Sequence, residues 1–444
     1  MAHWHGVSDT RVMPPVIRID RKIGWLNPRL GVGLAAWLIA GLASTASWAS
    51  DADALALADQ ALEPAAARSD WQIFTEGMLG QVNQRAPLDD IRISRASVDV
   101  LLDTAINPDW RLTLANRVDW LGQDGQYEVV NTFKEGYVSW QAQPNAALDL
   151  GRINLRNGVA LGYNPTDYFK VGALRSVVSI APASLRENRL GVGMLRGQWV
   201  WEGGAVNAVF APKLANRRQN AAFSPDWGAS NSVSRYLLTS SVQVLPGFAP
   251  QFLLLGEQGQ SPQLGMNASI LAGDALTLYA EYSGGRSAAL LLAAPALLPA
   301  APVSWHSRLA AGGTHTFANN LSLSLEYHYD GEALNQSQWR ALWLNPADYW
   351  AYRSAVFHAQ SLPTQQAAMS FVSWRDAGVK ALDLNWMLRR DLVDQSWQSW
   401  LEARYHFERI DWALQWQYQN GAPGSQYGAL PQRHSLQAVV KYFF

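Results

Sequence analysis

From Trp71 to the end of the chain, segments of about 9 to 14 residues alternate apolar with polar side chains and break at clusters of turn residues. Alternation at period two places one set of side chains on each face of a sheet. In Leu321-Ser322-Leu323-Ser324-Leu325-Glu326-Tyr327-His328-Tyr329 every odd position is apolar or aromatic and every even one polar. Trp412, Leu414, Trp416 and Tyr418 alternate with Ala413, Gln415 and Gln417 in the same way. So do Leu276, Leu278, Ala280 and Tyr282 with Thr277, Tyr279 and Glu281. A lipid-facing side and a wet interior require this pattern, whereas a soluble sandwich would turn its polar face outward. The expected fold is all-β: a closed antiparallel transmembrane β-barrel of about 18 strands, within a range of 16 to 18.

Three further features point the same way. Leu436, Ala438, Val440, Tyr442 and Phe444 form one unbroken apolar face that ends in a terminal phenylalanine. This resembles the carboxy-terminal signal read by the barrel-insertion machinery of bacterial outer membranes, which the resemblance therefore implies as a partner. Aromatics gather near strand ends, at Trp71, Trp110, Trp120, Trp140, Trp199, Trp201, Trp397 and Tyr442, as rings that seek the headgroup level would. Connections alternate in length. The short series comprises Asn107-Pro108-Asp109, 143–145, Glu202-Gly203-Gly204, 246–250, Gly273-Asp274, 318–320, 375–378 and Glu408-Arg409. The long series comprises the segments around 157–185, 215–231, 285–303 and 331–365. Short turns suit the periplasmic end of such a barrel and long loops the outside.

The amino terminus reads as a targeting segment. Arg18, Arg21, Lys22 and Arg29 precede an apolar run from Leu30 to Ala43, and small residues follow, ending in Ser47-Trp48-Ala49. Residues 1–49 are thus expected to form a signal peptide cleaved after Ala49, with Met13 a candidate start, because the apolar run is too short to span a bilayer. Residues 50–70 read as a short periplasmic leader and 71–444 as the barrel, which places the mature protein in a Gram-negative outer membrane among its lipid and lipopolysaccharide.

Composition excludes much else. The chain has 21 tryptophans and no cysteine, so disulfides and thiolate metal sites are ruled out. A net charge of −1 without a basic stripe argues against nucleic acid. The histidines after Ala49 show no metal-ligand spacing, and no cofactor motif is present. His328 beside Glu326, and His406 near Glu402 and Arg404, are the positions an outer-membrane barrel enzyme would draw on. A histidine on the polar face of a strand is more often a hydrogen-bonding filler, so no enzyme is expected.

Charge is local instead. Between Leu150 and Arg218 stand ten basic residues, Arg152, Arg156, Lys170, Arg175, Arg186, Arg189, Arg196, Lys213, Arg217 and Arg218, against Asp167, Glu187 and Glu202. A change of phase near Gly151, matched by one near Leu195 to Gly197, would turn Ile153 and Leu155 to lipid. It would aim Arg152, Asn154, Arg156, Arg189 and Arg196 into the lumen, making these the pore-lining candidates. Clustered like charge in a confined pore concentrates counter-ions, here anions.

One motif occurs twice. Asn164-Pro165-Thr166-Asp167-Tyr168-Phe169, followed by Lys170, returns as Asn345-Pro346-Ala347-Asp348-Tyr349-Trp350, each time in a long connection. Asparagine at the cap and proline at the first helical position would start a short helix. Asn164, Asp167, Tyr168, Phe169, Lys170, Asn345, Asp348, Tyr349 and Trp350 are therefore constriction-loop candidates. Their rings would offer stacking surfaces for sugars, or simply staple two capped turns.

The terminal Tyr442-Phe443-Phe444, the leader and the strand count resemble Gram-negative outer-membrane porins over the whole mature chain. The glycine and arginine strand leading into Asn164-Pro165-Thr166-Asp167 is similar, over about 20 residues, to alginate-export-type porins. The first resemblance implies a channel for small solutes, which the local charge would make anionic; the second implies an export channel for an acidic exopolysaccharide.

Overall fold

The computed structural model describes residues 70–288 and 303–444. The expected signal peptide and nearly all of the expected leader, together with most of the 285–303 connection, lie outside the described residues. Eighteen strands follow in order. They are β1 (Trp71–Gln84), β2 (Ile91–Asn107), β3 (Trp110–Gln123), β4 (Gln126–Gln143), β5 (Ala146–Ile153) and β6 (Val192–Trp201). Next come β7 (Gly204–Ala211), β8 (Arg235–Val242), β9 (Gln251–Glu257), β10 (Gln263–Ala272), β11 (Leu276–Ser287) and β12 (Ser304–Thr316). The last six are β13 (Leu321–Asp330), β14 (Gln366–Trp374), β15 (Leu382–Asp391), β16 (Trp397–His406), β17 (Ile410–Asn420) and β18 (Gln432–Phe443). Among the described residues four helices lie in the long connections: α1 (Pro182–Glu187), α2 (Trp227–Ser230), α3 (Gln336–Trp343) and α4 (Pro346–Ala359).

Every strand pairs antiparallel with its neighbours in sequence, and β1 pairs with β18 from Phe74↔Phe443 to Gln84↔Gln432. The sheet thus closes on itself and leaves no unpaired edge, the condition for a backbone in hydrocarbon. No helix among the described residues is long and apolar enough to cross a membrane; the strands do so instead.

Residues paired across a ladder share a face, so the register fixes which side chains look outward. Leu323, Leu325 and Tyr327 stand opposite Val372, Ser370 and Ala368 on the outer face, while Ser324, Glu326, His328 and Asp330 are buried inside. Trp412, Leu414 and Trp416 are exposed outward beside Val440, Ala438 and Leu436, as the alternation requires. Two aromatic belts mark the ends. Trp110 stacks on Trp140 at 5.9 Å near one end, in the same belt as Trp71, Trp199 and Trp201. Trp120, Tyr236 and Trp305 stand near the other. All eight short connections expected from the sequence fall at the end that carries Trp71 and Phe444, and the long ones at the opposite end. Asp124 and Gly125 close the β3–β4 turn with φ of 46° and 83°, the left-handed pair that a two-residue hairpin demands.

The local phase change does not occur. The β5–β6 ladder runs without a register shift through Asp149↔Arg196, Gly151↔Met194 and Ile153↔Val192. The shift falls in β3–β4 instead, where Ala115 faces Glu135 and Asn116 faces Phe133, leaving Lys134 as an extra residue. That bulge brings the neighbouring Lys134 and Glu135 side chains both to the lumen. Ile153 therefore points inward, and Arg152 sits on the outer face with Leu148 and Leu150.

Leu325 lies half-way along β13 with its side chain open to the surroundings. Leu325→Arg is expected to destabilise the barrel in lipid vesicles by about 2–4 kcal/mol, the range for a cation at the bilayer midplane. Urea titration followed by the heat-dependent gel shift measures it; an unchanged midpoint would contradict the outward register.

Candidate functional site

The 154–191 connection does not project from the barrel but crosses its lumen. Two carboxylates on the far wall hold it. Glu281 of β11 accepts backbone amides from Val159 and Ala160, each at 2.6 Å, with Asn164 Nδ2 at 2.9 Å and Thr166 Oγ1 at 2.9 Å. Glu326 of β13 accepts the amides of Leu161 at 2.6 Å and Gly162 at 2.8 Å, the Tyr279 hydroxyl at 2.8 Å and His328 Nε2 at 2.8 Å. Hydrogen bonds to an ionised acceptor are the strong kind, and buried carboxylates this fully coordinated have no lone pair left orphaned. Close approach needs glycine. A Cβ on Gly158, whose φ is +95°, would lie 2.6 Å from the Glu281 oxygens, and one on Gly162 would meet Met369 Sδ at 2.6 Å.

Other contacts fix the rest of the loop. Tyr163 donates its hydroxyl to Asp330 at 2.9 Å, Tyr168 meets Ser283 at 3.0 Å, and Arg95 of β2 donates to the Val178 carbonyl at 2.8 Å. Leu161, Ile180 and Ala181 pack on Met369, Met387 and Trp400. Tyr168 and Phe169 sit in an apolar cluster with Ile153, Val192, Met194, Leu237 and Leu253, and Leu155 packs against it. The part of the β5–β9 inner face beneath the loop is thus greasy and covered. Elsewhere on the wall Lys134, Arg196 and Arg404 keep partly open side chains beside Asp99, Asp149 and Glu402.

The sequence-derived candidates divide accordingly. Arg196 faces the lumen and pairs with Asp149 at 2.7 Å. Arg189 is buried, bound to Asp167 at 2.8 Å and to Asn154 Oδ1 at 2.6 Å, so these three brace the loop. Arg156 is exposed, and among the described residues it makes no ion pair or hydrogen bond, though Glu135 and Glu187 lie within electrostatic reach. Arg152 departs from expectation. It is buried on the outer face beneath the 212–234 connection, donating to the Pro225 carbonyl at 2.6 Å, with its guanidinium 3.9 Å from the Trp227 ring.

Both copies of the repeated motif lie in connections folded over or into the barrel, but only one starts a helix. At 164–170 the chain makes tight turns, and Asn164 donates its side-chain amide to the Ala160 carbonyl at 2.5 Å and to Glu281. Lys170 is buried, donating to the Asn164 carbonyl at 2.7 Å and lying 4.7 Å from the Tyr163 ring; burial pulls its ammonium down to about 8. At 345 the expected helix forms as α4, yet Asn345 binds the Asp348 carboxylate at 2.6 Å and not the backbone. Tyr349 is wholly buried with Trp339, Leu342 and Tyr352, whereas Trp350 is open on the α4 surface under the Arg353 guanidinium. Of the four rings, Tyr168, Phe169 and Tyr349 hold structure and are closed to a passing solute.

Sequence reasoning missed the anchors Glu281 and Glu326, and the network on β1–β4. In that network Glu76 takes Arg95 at 2.6 Å and Arg117 at 3.1 Å, Arg117 also takes Asp119 at 2.8 Å, and Lys134 takes Asp99 at 2.7 Å. Inward acidic positions on alternating strands were the available signal. His328 and His406 are tied down: His328 to Glu326, and His406 to Asp411 at 2.9 Å and Asp383 at 3.2 Å. Among the described residues no group of side chains is arranged to hold a metal ion.

A closed 18-stranded barrel, apolar outside, polar within and narrowed by an inward connection, has the architecture of the outer-membrane porins. The chain is similar to OccAB1 of Acinetobacter baumannii, with a TM-score of 0.53 at 11% identity over 84% of this chain and 96% of that one. It is also similar to OccK5 (OpdH) of Pseudomonas aeruginosa, with a TM-score of 0.50 at 9% identity over 84% of this chain and 98% of that one. At such identity the likeness is one of fold. No family model matches the chain, and no curated protein matches its sequence.

Replacing Glu281 or Glu326 by glutamine keeps the shape but removes the charge that makes these bonds strong, and alanine removes the acceptors altogether. The expected result is a larger and noisier single-channel conductance and faster protease cleavage within 154–191, with alanine exceeding glutamine at each site. Conductance and cleavage equal to wild type in both alanine variants would rule out the clamp.

Proposed function

We propose that the protein is a porin-like channel of the Gram-negative outer membrane that passes small anionic solutes, and that it is not an enzyme. The path runs between the inward loop and the wall formed by β1–β4 and β15–β18. The observation that carries the anionic preference is Arg156, an exposed cation at this passage with no ion-pair partner among the described residues.

The surrounding charge supports it. Arg175 donates to the carbonyls of Asn131, Ser224 and Ala221, Arg186 to those of Asn157 and Gly158, and Lys170 to that of Asn164. A carbonyl satisfies the donors without cancelling the charge, so these cations leave a positive field where the ion-paired Arg189 and Arg196 leave little. A loop strung across the lumen and clamped on the far wall favours small solutes over an acidic polysaccharide.

The remaining readings follow from the fold. Export with cleavage after Ala49 would leave the barrel from Trp71 onward in the outer membrane. Lipid and lipopolysaccharide would meet the outer face, and the Leu436 to Phe444 strand would be offered to the insertion machinery. His328 and His406 serve as hydrogen-bonding members of the wall, and within the repeated motif Asn164, Asp167 and Lys170 shape the constriction.

In planar bilayers with a salt gradient, wild-type protein is expected to show a reversal potential of anion-selective sign, and Arg156→Glu to move it toward cations. A cation-selective wild type would end the proposal. pH supplies a second check. Glu187 is open to water yet lies deep among protein atoms, and this burial pushes its carboxyl above the usual range, outweighing the opposing pull of Arg156, Lys134 and Lys441. As pH falls, Glu187 takes up its proton earlier than an ordinary glutamate and the passage gains positive charge. Anion selectivity should therefore rise with an onset above the usual glutamate range, and Glu187→Gln should reduce that rise.

A further inference from the structure

We infer that His358 is the proton-sensitive fastener of a joint between three long connections at one end of the barrel, and that acid on that side releases it. The inference goes beyond the channel proposal and rests only on the barrel fold.

The connections 154–191, 212–234 and 331–365 meet at this joint. Arg218 of the second places Nη1 3.1 Å from Nδ1 of His358, near the end of α4, and donates Nη2 to the Gly172 carbonyl at 3.1 Å. Gly172 gives its own amide to the His358 carbonyl at 2.8 Å, and Gln360 Nε2 donates to the Lys170 carbonyl at 2.6 Å. The parts fit closely. Gly172 has a φ of +74°, and a Cβ there would lie 2.6 Å from Arg218 Nη2 and 2.6 Å from the Ala229 carbonyl oxygen. Gln360 turns left-handed at φ 50° to end α4 at the same place.

A guanidinium has no lone pair to offer, so the Arg218 contact requires His358 Nδ1 to be the unprotonated nitrogen. A proton on it replaces the acceptor by a second donor and sets one cation against another. The carbonyl partners of the joint do not titrate, which leaves the imidazole as its sensitive member. Nothing nearby offsets the new charge. Arg218 faces the ring from the 212–234 connection. From 154–191 Lys170 presents its carbonyl, while its ammonium is held by the Asn164 carbonyl beside the Tyr163 ring. On α4 itself the Phe357 ring lies alongside and Arg353 is bound to Tyr349. No carboxylate pairs with His358 among the described residues. The carbonyl end of α4 favours a cation, but Arg218 already supplies one. Partial burial and the Arg218 charge accordingly hold the imidazole below the usual histidine range.

His358 is neutral in the closed joint, so closure is fully favoured above the ordinary histidine value. As pH falls below that value, closure weakens by up to about tenfold per pH unit, until the ring is charged in both states. Glu281 and Glu326 still hold residues 159–162 on the far wall. What parts is the roof: the arm beyond Gly172, the 212–234 connection and the end of α4 lose their common tie.

Because the chain has no cysteine, spin labels at Asn216→Cys and Ser354→Cys report the separation of the 212–234 connection from α4 in reconstituted protein. A narrow distance distribution is expected at about pH 7.5 and a broader, longer one at about pH 5. His358→Asn keeps an acceptor but takes up no proton, and should stay narrow at both. Arg218→Ala should be broad at both. Single-channel noise should rise over the same interval in wild type and not in His358→Asn. A wild-type distribution unchanged by acid, a His358→Asn protein that still opens or grows noisy in acid, or an Arg218→Ala protein that stays narrow at the higher pH overturns the inference. The heat-dependent gel shift reports folding of each variant independently. Distances are read without ion flow, so a cation-selective channel would end the anion proposal and leave this one standing.

Discussion

The structure turns on two buried carboxylates reaching across a lumen to seize the backbone of a loop. Glu281 and Glu326 stand on β11 and β13, and the segment they hold leaves from β5 and returns to β6. An unpaired carboxylate inside a protein is expensive, and so is a buried peptide amide without an acceptor. Each therefore answers the other's need. The consequence is a barrel split into a filled half and a wet half, whose division follows from where the acceptors are fixed on the wall.

Within the wet half, charge is arranged by kind of partner. Where an arginine meets a carboxylate, as Arg117 does with Glu76 and Asp119, the pair stiffens the wall and its distant field fades. Where it meets carbonyl oxygens, as Arg175 and Arg186 do, the loop is stitched together and the positive charge survives. The same side chain thus serves architecture in both settings but keeps its charge in only one. The run of basic residues after Leu150 is accordingly less a uniform lining than a mixture of braces, stitches and open cations.

Most of the barrel was legible in the sequence because lipid imposes a rule that each strand must obey separately. Leu321 to Tyr329 declares its two faces with no knowledge of its neighbours, and the terminal Tyr442 and Phe444 do the same. The lumen carries no such rule. Whether Arg152 looks in or out depends on a ladder with β6 and on a bulge at Lys134 in another strand pair, and local alternation around Gly151 suggested the wrong face. The helix signal at Asn164 was overridden from a distance: Glu281, more than a hundred residues away in the chain, holds Asn164, Thr166 and the backbone before them in tight turns. At Asn345 the side chain stays local, on Asp348, and α4 forms.

The seam between β1 and β18 has a bearing on how such a chain matures. Since β1 finds its second neighbour only in β18, any form without that strand must carry two raw borders rather than a continuous wall. Closure thereby hangs on a single strand pair, without which the sheet has nothing to zip against.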